Sequence, residues 1–168
     1  MIKSNTQSNI VITRIFDASP DLVFKAWTNP DCLKHWWGPK NFTTPFFTVD
    51  FRVGGIFRYC MRSADGKDFW GRGLYKEIIV PEKIVYLDGF TDEEGNLVSA
   101  KHYGLSSDWP LETLVTLTFV SDQGKTKFAL EHANMILGKE RDMTEAGWGE
   151  MLDRLEDYLV DGLMGKRI

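Results

Sequence analysis

Apolar and polar side chains alternate with a period of two through most of the middle of the chain. In the segment 56–62, Phe57, Tyr59 and Met61 alternate with more polar side chains, a pattern typical of a β-strand with one buried face. Similar β-branched and aromatic runs predict further strands at residues 9–16, 46–51, 69–80, 84–91, 111–120 and 126–133. Turn signals between them, such as Gly54-Gly55, predict consecutive antiparallel hairpins.

Three segments have helical signals instead. Ser19-Pro20-Asp21 supplies an N-cap, a first-turn proline and an early acidic residue, which together mark the start of a helix. Pro30-Asp31 predicts a second, short helix through His35, so the pair forms an elbow. The last helix is predicted from an apolar stripe with helical spacing, and Gly162 and Gly165 are expected to end it. The stripe consists of Trp148, Met151, Leu152, Leu155 and Leu159.

The connection between residues 92 and 110 is long for a compact domain. Such segments are usually lids, binding loops or disordered stretches. Asp92–Asn96 has the composition of a tight turn, so part of the segment is alternatively an extension of a hairpin.

The order of these elements predicts an α+β domain. A curved antiparallel β-sheet of about six to seven strands wraps around a long C-terminal helix, and two short helices follow the first strand. Side chains need not fill all of the space between a strongly curved sheet and its helix, and the unfilled space would be a cavity. We expect one domain over residues 9–163, with tails at 1–8 and 164–168.

Composition restricts the function classes. The chain has 168 residues, 43% of them hydrophobic and 26% charged, with a net charge of −4. These values argue against disorder, and without a Lys/Arg cluster we expect no nucleic-acid partner. No apolar run suits a signal peptide or a membrane span, so we expect no membrane insertion and a cytoplasmic location. Cys32 and Cys60 are expected to be free thiols, with a disulfide as the alternative.

Several short motifs along the chain resemble the activator-of-heat-shock-ATPase homologue (AHSA-type) family of the START/Bet v 1-like (SRPBCC) superfamily. The matching segments are FDASPDLVFKAW at 16–27, WWGP at 36–39, DFRVGG at 50–55, DGKDFWGRG at 65–73, PEK at 81–83 and GW at 147–148. The resemblance covers about residues 9–162 and implies a helix-grip fold with a ligand pocket between sheet and helix. Relatives include lipid carriers, hormone-binding proteins, polyketide cyclases and co-chaperones, so the resemblance does not indicate which function this protein has. In the eukaryotic co-chaperone this module is joined to a separate N-terminal domain, which we do not expect in this protein.

Candidate ligand-binding residues follow from strand parity and from the helix stripe. His132 shares its parity with Phe128 and Leu130, so it is expected to point inward as a polar anchor, with a hydrogen-bonded core histidine as the alternative. Packing in the core is likewise the alternative for every apolar candidate. The predicted ligand-binding residues are Phe57, Tyr59, Met61, Tyr75, Tyr86, Leu130, His132, Trp148, Met151 and Leu152.

Trp36 and Trp37 are adjacent in a segment predicted to be a loop. Two neighbouring tryptophans do not easily face one core, so Trp36 and Trp37 are candidates for the mouth of the cavity, or one of them for a dimer contact; simple packing is the interpretation that the pattern favours.

No motif for catalysis, a metal or a cofactor is present in the sequence. The three histidines are scattered, without HxH or HExxH spacing, so we expect no metal site and no cofactor, and we assign no catalytic residue. We therefore predict a protein that binds a small apolar or amphipathic molecule, whereas catalysis is unsupported by the sequence. The alternatives are a chaperone-associated or stress-response interaction protein that contacts a chaperone ATPase, a cyclase- or hydrolase-like enzyme that uses the cavity, and a homodimer.

Overall fold

A computed structural model describes residues 7–105, 109–136 and 138–164. Its strands are β1 (Gln7–Phe16), β2 (Thr43–Val49), β3 (Ile56–Arg62), β4 (Asp68–Ile79), β5 (Lys83–Thr91), β6 (Thr113–Asp122) and β7 (Lys125–Ile136). Its helices are α1 (Pro20–Thr28), α2 (Pro30–Trp36) and α3 (Lys139–Asp157). A 3-10 turn lies at Ala100–Tyr103, and a π-helical segment at Tyr158–Met164 continues α3. Most of the two predicted tails lies outside the described residues.

The strands form one antiparallel seven-stranded sheet in the order β1-β7-β6-β5-β4-β3-β2. α3 packs its apolar stripe against the inner face of this sheet, where Leu152 and Leu155 are completely buried with Phe128 and Leu130. The predicted α+β helix-grip architecture is therefore confirmed. None of the helices in the described part of the chain is both long and apolar enough to cross a membrane.

The helical elbow begins at the predicted residues. The Ser19 hydroxyl accepts a hydrogen bond from the backbone N–H of Leu22, and Asn29 accepts one from the N–H of Asp31 at 2.8 Å. Each helix has a proline in its first turn, where the missing N–H costs nothing. These caps separate α1 from α2 and fold the pair against the sheet.

α3 differs from its prediction at both ends. It begins at Lys139, well before Trp148, and the π-helical segment runs through Gly162 instead of ending there. Gly165 lies outside the described residues. The first half of the helix contains Glu140 and Thr144, which break the apolar stripe on which the prediction depended.

Trp36 and Trp37 both face the core, so simple packing describes them better than a position at the cavity mouth. They are 0% and 3% exposed. α2 ends at Trp36 and the backbone turns extended at Trp37, so the two indoles leave the chain in different directions and both enter the interior. Trp36 packs on Trp27 at 4.7 Å between ring centroids, whereas Trp37 lies 5.1 Å from Tyr59.

Two glycines of β4 leave room for aromatic rings of the neighbouring strand. A Cβ atom at Gly71 would collide with the phenol of Tyr59, and one at Gly73 would collide with the ring of Phe57. The rings therefore lie across the backbone of β4 on the inner face of the sheet. Elsewhere, Cys32 and Cys60 are both free and buried, as predicted.

Candidate ligand-binding pocket

A pocket of about 240 Å³ lies between the inner face of the sheet and the first half of α3. Its volume is below the roughly 300–1,000 Å³ of typical small-molecule sites, so it suits a small ligand. Most of the lining is apolar or aromatic. The lining residues are Trp37, Pro39, Tyr59, Met61, Asp88, Gly89, Phe90, Leu105, Trp109, His132, Glu140, Met143, Thr144, Gly147, Trp148 and Met151.

Two arginines fix the position of α3 over this space. Arg14 of β1 forms an ion pair with Asp153 at 2.8 Å and also donates to the carbonyl of Gly149. Arg154 donates to the carbonyls of Trp37, Gly38 and Pro39, at 2.7 Å to Gly38. Because Trp37 and Pro39 line the pocket, Arg154 joins one wall to the helix that covers it.

His132 is buried on the inner face of β7, as predicted, and both of its ring nitrogens have partners. Nδ1 accepts a hydrogen bond from Nε1 of Trp148 at 3.1 Å, and Nε2 lies 2.6 Å from the hydroxyl of Thr113. Since Nδ1 accepts, the neutral ring carries its proton on Nε2 and donates it to Thr113. Burial lowers the pKa of His132 from 6.5 to about 4. The imidazole is therefore neutral near pH 7 and has no nitrogen left for a ligand.

Asp88 is the polar group on the pocket wall that sequence reasoning missed. It follows Ile84 and Tyr86 at strand spacing on the inner face of β5, opposite Gly73 of β4 and Thr113 of β6. No described residue forms a hydrogen bond or ion pair with its carboxyl group. Burial raises the pKa of Asp88 from 3.8 to about 7. Near neutral pH this carboxyl group can therefore either hold or release a proton.

Two phenols lie near this carboxyl group. The pKa of Tyr59, whose side chain lines the pocket, is raised well above 10, mainly by burial and secondarily by the charge of Asp88. The pKa of Tyr86 is raised for the same two reasons, and within the described chain its buried hydroxyl has no hydrogen-bond partner. Both phenols therefore remain protonated under ordinary conditions.

The connection between β5 and β6 forms another side of the pocket through Leu105 and Trp109. Its first part extends the β5 hairpin: Val98 donates to the carbonyl of Phe90, which confirms the alternative reading of this segment. The Tyr103 hydroxyl then donates to the carbonyl of Thr91 and accepts from the N–H of Trp70. These bonds fasten the 3-10 turn to β4 and β5.

The pocket brings together some of the predicted ligand-binding residues and leaves out others. Tyr59, Met61, His132, Trp148, Met151 and the predicted mouth residue Trp37 line it. Phe57, Tyr75 and Tyr86 border instead a separate space of about 10 Å³. Leu130, Leu152 and Trp36 are completely buried core residues. Phe57, Tyr75 and Tyr86 lie apart from the pocket because Trp27 of α1 and Leu33 of α2 fill that end of the interior.

Other residues of the pocket were not predicted. They include Phe90 and Trp109, and four residues from the first half of α3: Glu140, Met143, Thr144 and Gly147. The parity of Ile84, Tyr86 and Asp88 was the signal that could have identified Asp88. Among the described residues, no group of three His, Cys, Asp or Glu side chains could hold a metal ion.

The chain is similar to known proteins over nearly its whole length. A family model described as "Activator of Hsp90 ATPase homolog 1-like protein" matches residues 17–160, whereas no curated protein matches significantly. A solved protein from Nitrosomonas europaea is 21% identical, with a TM-score of 0.74 over 98% of this chain and 99% of its own. One from Arthrobacter aurescens is 25% identical, with a TM-score of 0.74 over 91% and 86%. The AHSA1 protein from Silicibacter pomeroyi is 20% identical, with a TM-score of 0.69 over 90% and 97%.

Proposed function

Because this chain belongs to the Activator of Hsp90 ATPase homolog 1-like family, whose fold leaves space between sheet and helix, we propose that it binds a small apolar or amphipathic molecule. The observation that carries this proposal is the mainly apolar and aromatic pocket of about 240 Å³, with the carboxyl group of Asp88, unpartnered among the described residues, on its wall. Burial of apolar ligand surface, at roughly 25 cal/mol per Å² before the costs of ordering, would supply most of the affinity. Asp88 would fix the orientation of the ligand.

The pocket can be closed from the helix side without disturbing the sheet. Gly147 lines it, and a Cβ atom there would meet only Cγ of Pro39, at an ordinary 3.6 Å. Gly147→Trp therefore places an indole in the space, whereas Gly147→Ala adds one methyl group and serves as the matched control.

We expect the neutral single-ring probe 2-phenylethanol to bind the wild type and Gly147→Ala in ligand-detected NMR titrations. Gly147→Trp should weaken this binding at least about tenfold, because the buried area is lost. Equal binding to all three proteins would place the probe elsewhere and contradict the proposal. Native mass spectrometry of the freshly purified protein would add the mass of any molecule that it retains.

A partnership with a chaperone ATPase is the second candidate, and it is supported by the description of the family. It needs no pocket, since the outer surface would make the contact. Stimulation of an Hsp90-type ATPase by both the wild type and Gly147→Trp would support this function. A lack of stimulation by the wild type would count against it.

A cyclase- or hydrolase-like activity is supported only by the carboxyl group of Asp88, whose raised pKa suits proton transfer. His132 is a poor general base here, because both ring nitrogens already have partners. Turnover of a candidate ester or ketone that is lost in Asp88→Asn, and kept in Asp122→Asn at the exposed β6–β7 hairpin, would support an enzyme.

We also propose that the protein works in the cytoplasm, since both cysteines are free thiols and a reducing compartment keeps them so. A homodimer remains a prediction, which sedimentation equilibrium would test directly.

A further inference from the structure

The formally charged residues in the described lining of the pocket are both acidic. Asp88 and Glu140 are its acidic lining residues, and the described lining contains neither lysine nor arginine. His132 does not balance them, because its hydrogen bonds to Trp148 and Thr113 require the neutral ring. Among the described lining residues, an anionic ligand would therefore meet no positive charge to offset repulsion from Asp88, which is poorly screened in a site of low polarity.

Within the part of the chain that the structure describes, the carboxyl group of Asp88 also has no hydrogen-bond or ion-pair partner. Its neighbours across the sheet are Thr113 on one side and Gly73, covered by the ring of Phe57, on the other. A purely apolar ligand would bury this group without a hydrogen bond, which is unfavourable. The ligand must therefore bring the missing donor.

We propose that the pocket binds a small cationic amine, with its ammonium group against Asp88 and its apolar part on the aromatic wall. This inference rests on the proposed ligand-binding function and specifies the class of ligand. The aromatic lining suits a cation as well as an apolar group, because ring faces attract positive charge within about 6 Å. Its members are Trp37, Tyr59, Phe90, Trp109 and Trp148.

The aromatic side chains of the lining form two groups of neighbouring rings. Trp37 lies 5.1 Å from Tyr59 and 5.9 Å from Trp148 between ring centroids, and Phe90 lies 6.1 Å from Trp109. An ammonium group near Asp88 would also favour the ionised carboxylate, because an opposite charge opposes the effect of burial. The same contact thus gives a hydrogen-bond partner both to the ammonium group of the ligand and to the carboxyl group of Asp88.

Three probes with one phenyl ring and a short chain isolate the effect of charge: 2-phenylethylamine, 2-phenylethanol and phenylacetate. At about pH 8 the amine is protonated and Asp88 is ionised, given its pKa of about 7. We expect 2-phenylethylammonium to bind the wild type at least about tenfold more tightly than 2-phenylethanol, and phenylacetate to bind most weakly. Ligand-detected NMR titration gives the three dissociation constants.

Asp88→Asn tests the assigned contact. This variant should reduce the preference for the ammonium over the alcohol to about twofold or less, because the charge pair is lost. Binding of 2-phenylethanol should persist and shows that the variant is folded. The control Asp122→Asn makes the same change at an exposed site and should keep the preference.

The outcomes separate this inference from the general ligand-binding function. If the alcohol binds the wild type as tightly as the ammonium does, the amine inference fails and the ligand-binding proposal stands. If Asp88→Asn keeps the preference, the contact is assigned wrongly and the inference also fails. If none of the three probes binds, both proposals fail.

Discussion

The two ends of the interior have similar walls but differ in how completely they are filled. At one end, Trp27, Phe47 and Phe57 are among the residues around a space of about 10 Å³, close to the smallest volume that holds a single water molecule. At the other end, Tyr59 and Trp148 are among the residues around about 240 Å³. Trp37 belongs to both linings.

The covering element explains this difference. α1 and α2 insert Trp27 and Trp36, whose rings meet edge to face, and the ring of Trp27 also stacks on Phe128. The first half of α3 instead presents Thr144 and Gly147, which leave the space open. A sheet of this kind can therefore carry a packed core and a pocket at once, according to the size of the side chains placed over it.

The largest expected effect lies at the packed end. Trp36→Ala removes a side chain that is 0% exposed and whose Nε1 donates to the carbonyl of Ala26 at 3.1 Å. We expect a loss of about 3–5 kcal/mol in the free energy of unfolding, measured with denaturant. Trp109→Ala, on the pocket wall, should cost less than about 2 kcal/mol, since it already faces open space. Equal losses would contradict the division into two regions.

His132 gives the next largest effect, as a function of pH. Its pKa is 6.5 in the unfolded chain and about 4 when buried, so below pH 6.5 the unfolded state takes up a proton first. The free energy of unfolding therefore decreases by up to about 3 kcal/mol as the pH falls through this interval. His132→Gln lacks this contribution, so its stability relative to the wild type should rise as the pH falls from 6.5 to about 4. A constant difference between the two proteins would show that the ring is not buried as a neutral group.

Asp88 should produce a slope of the opposite sign in an overlapping interval. Its pKa is 3.8 when unfolded and about 7 in the fold, so the folded state holds the proton longer and stability is lost as the pH rises between these values. At about pH 8, Asp88→Asn should be more stable than the wild type by about 2 kcal/mol, less than the full shift implies because the group faces the open pocket. Below pH 3.8 the gain should disappear. Denaturant unfolding across this range checks both points, and a gain that does not depend on pH would contradict them.

The smallest effect is expected at the pocket end of the interior, in α3. Gly147→Ala should raise the free energy of unfolding by about 0.5–1 kcal/mol, because alanine restricts the unfolded chain and suits a helix better. Its Cβ atom has room, with Cγ of Pro39 at 3.6 Å. Gly149→Ala, where the nearest atom is Nη2 of Arg14 at 3.9 Å, is the comparison variant. Destabilisation by Gly147→Ala alone would mean that the pocket is narrower than described.

The sequence predicts the parts of the fold that have strong local patterns. β3 has the predicted bounds, and the cap at Ser19 starts α1 as expected. The beginning of α3 was not predictable from the apolar stripe, because Glu140 and Thr144 interrupt it. The residues that made this part of the helix hard to recognise are those that line the pocket.

The candidate site was predicted less completely than the fold. Strand parity placed His132 and Tyr59 on the inner face, but it could not show that Trp148 and Thr113 occupy the imidazole. Asp88 was overlooked because a lone acidic residue in a strand usually faces solvent. Trp109 comes from a connecting segment, where no periodicity indicates which way a side chain points.

Gly71 and Gly73 of β4 have no side chains, so aromatic rings of β3 can lie close to the backbone there. A methyl group at Gly71 would have to lift the phenol of Tyr59 away from the neighbouring backbone, and one at Gly73 would lift the ring of Phe57 in the same way. The depth of the pocket therefore depends on Gly71 and Gly73, although neither glycine lines the pocket or the small space beside it. A series of substitutions at position 71 would change which molecules fit the pocket without changing any of the residues that line it.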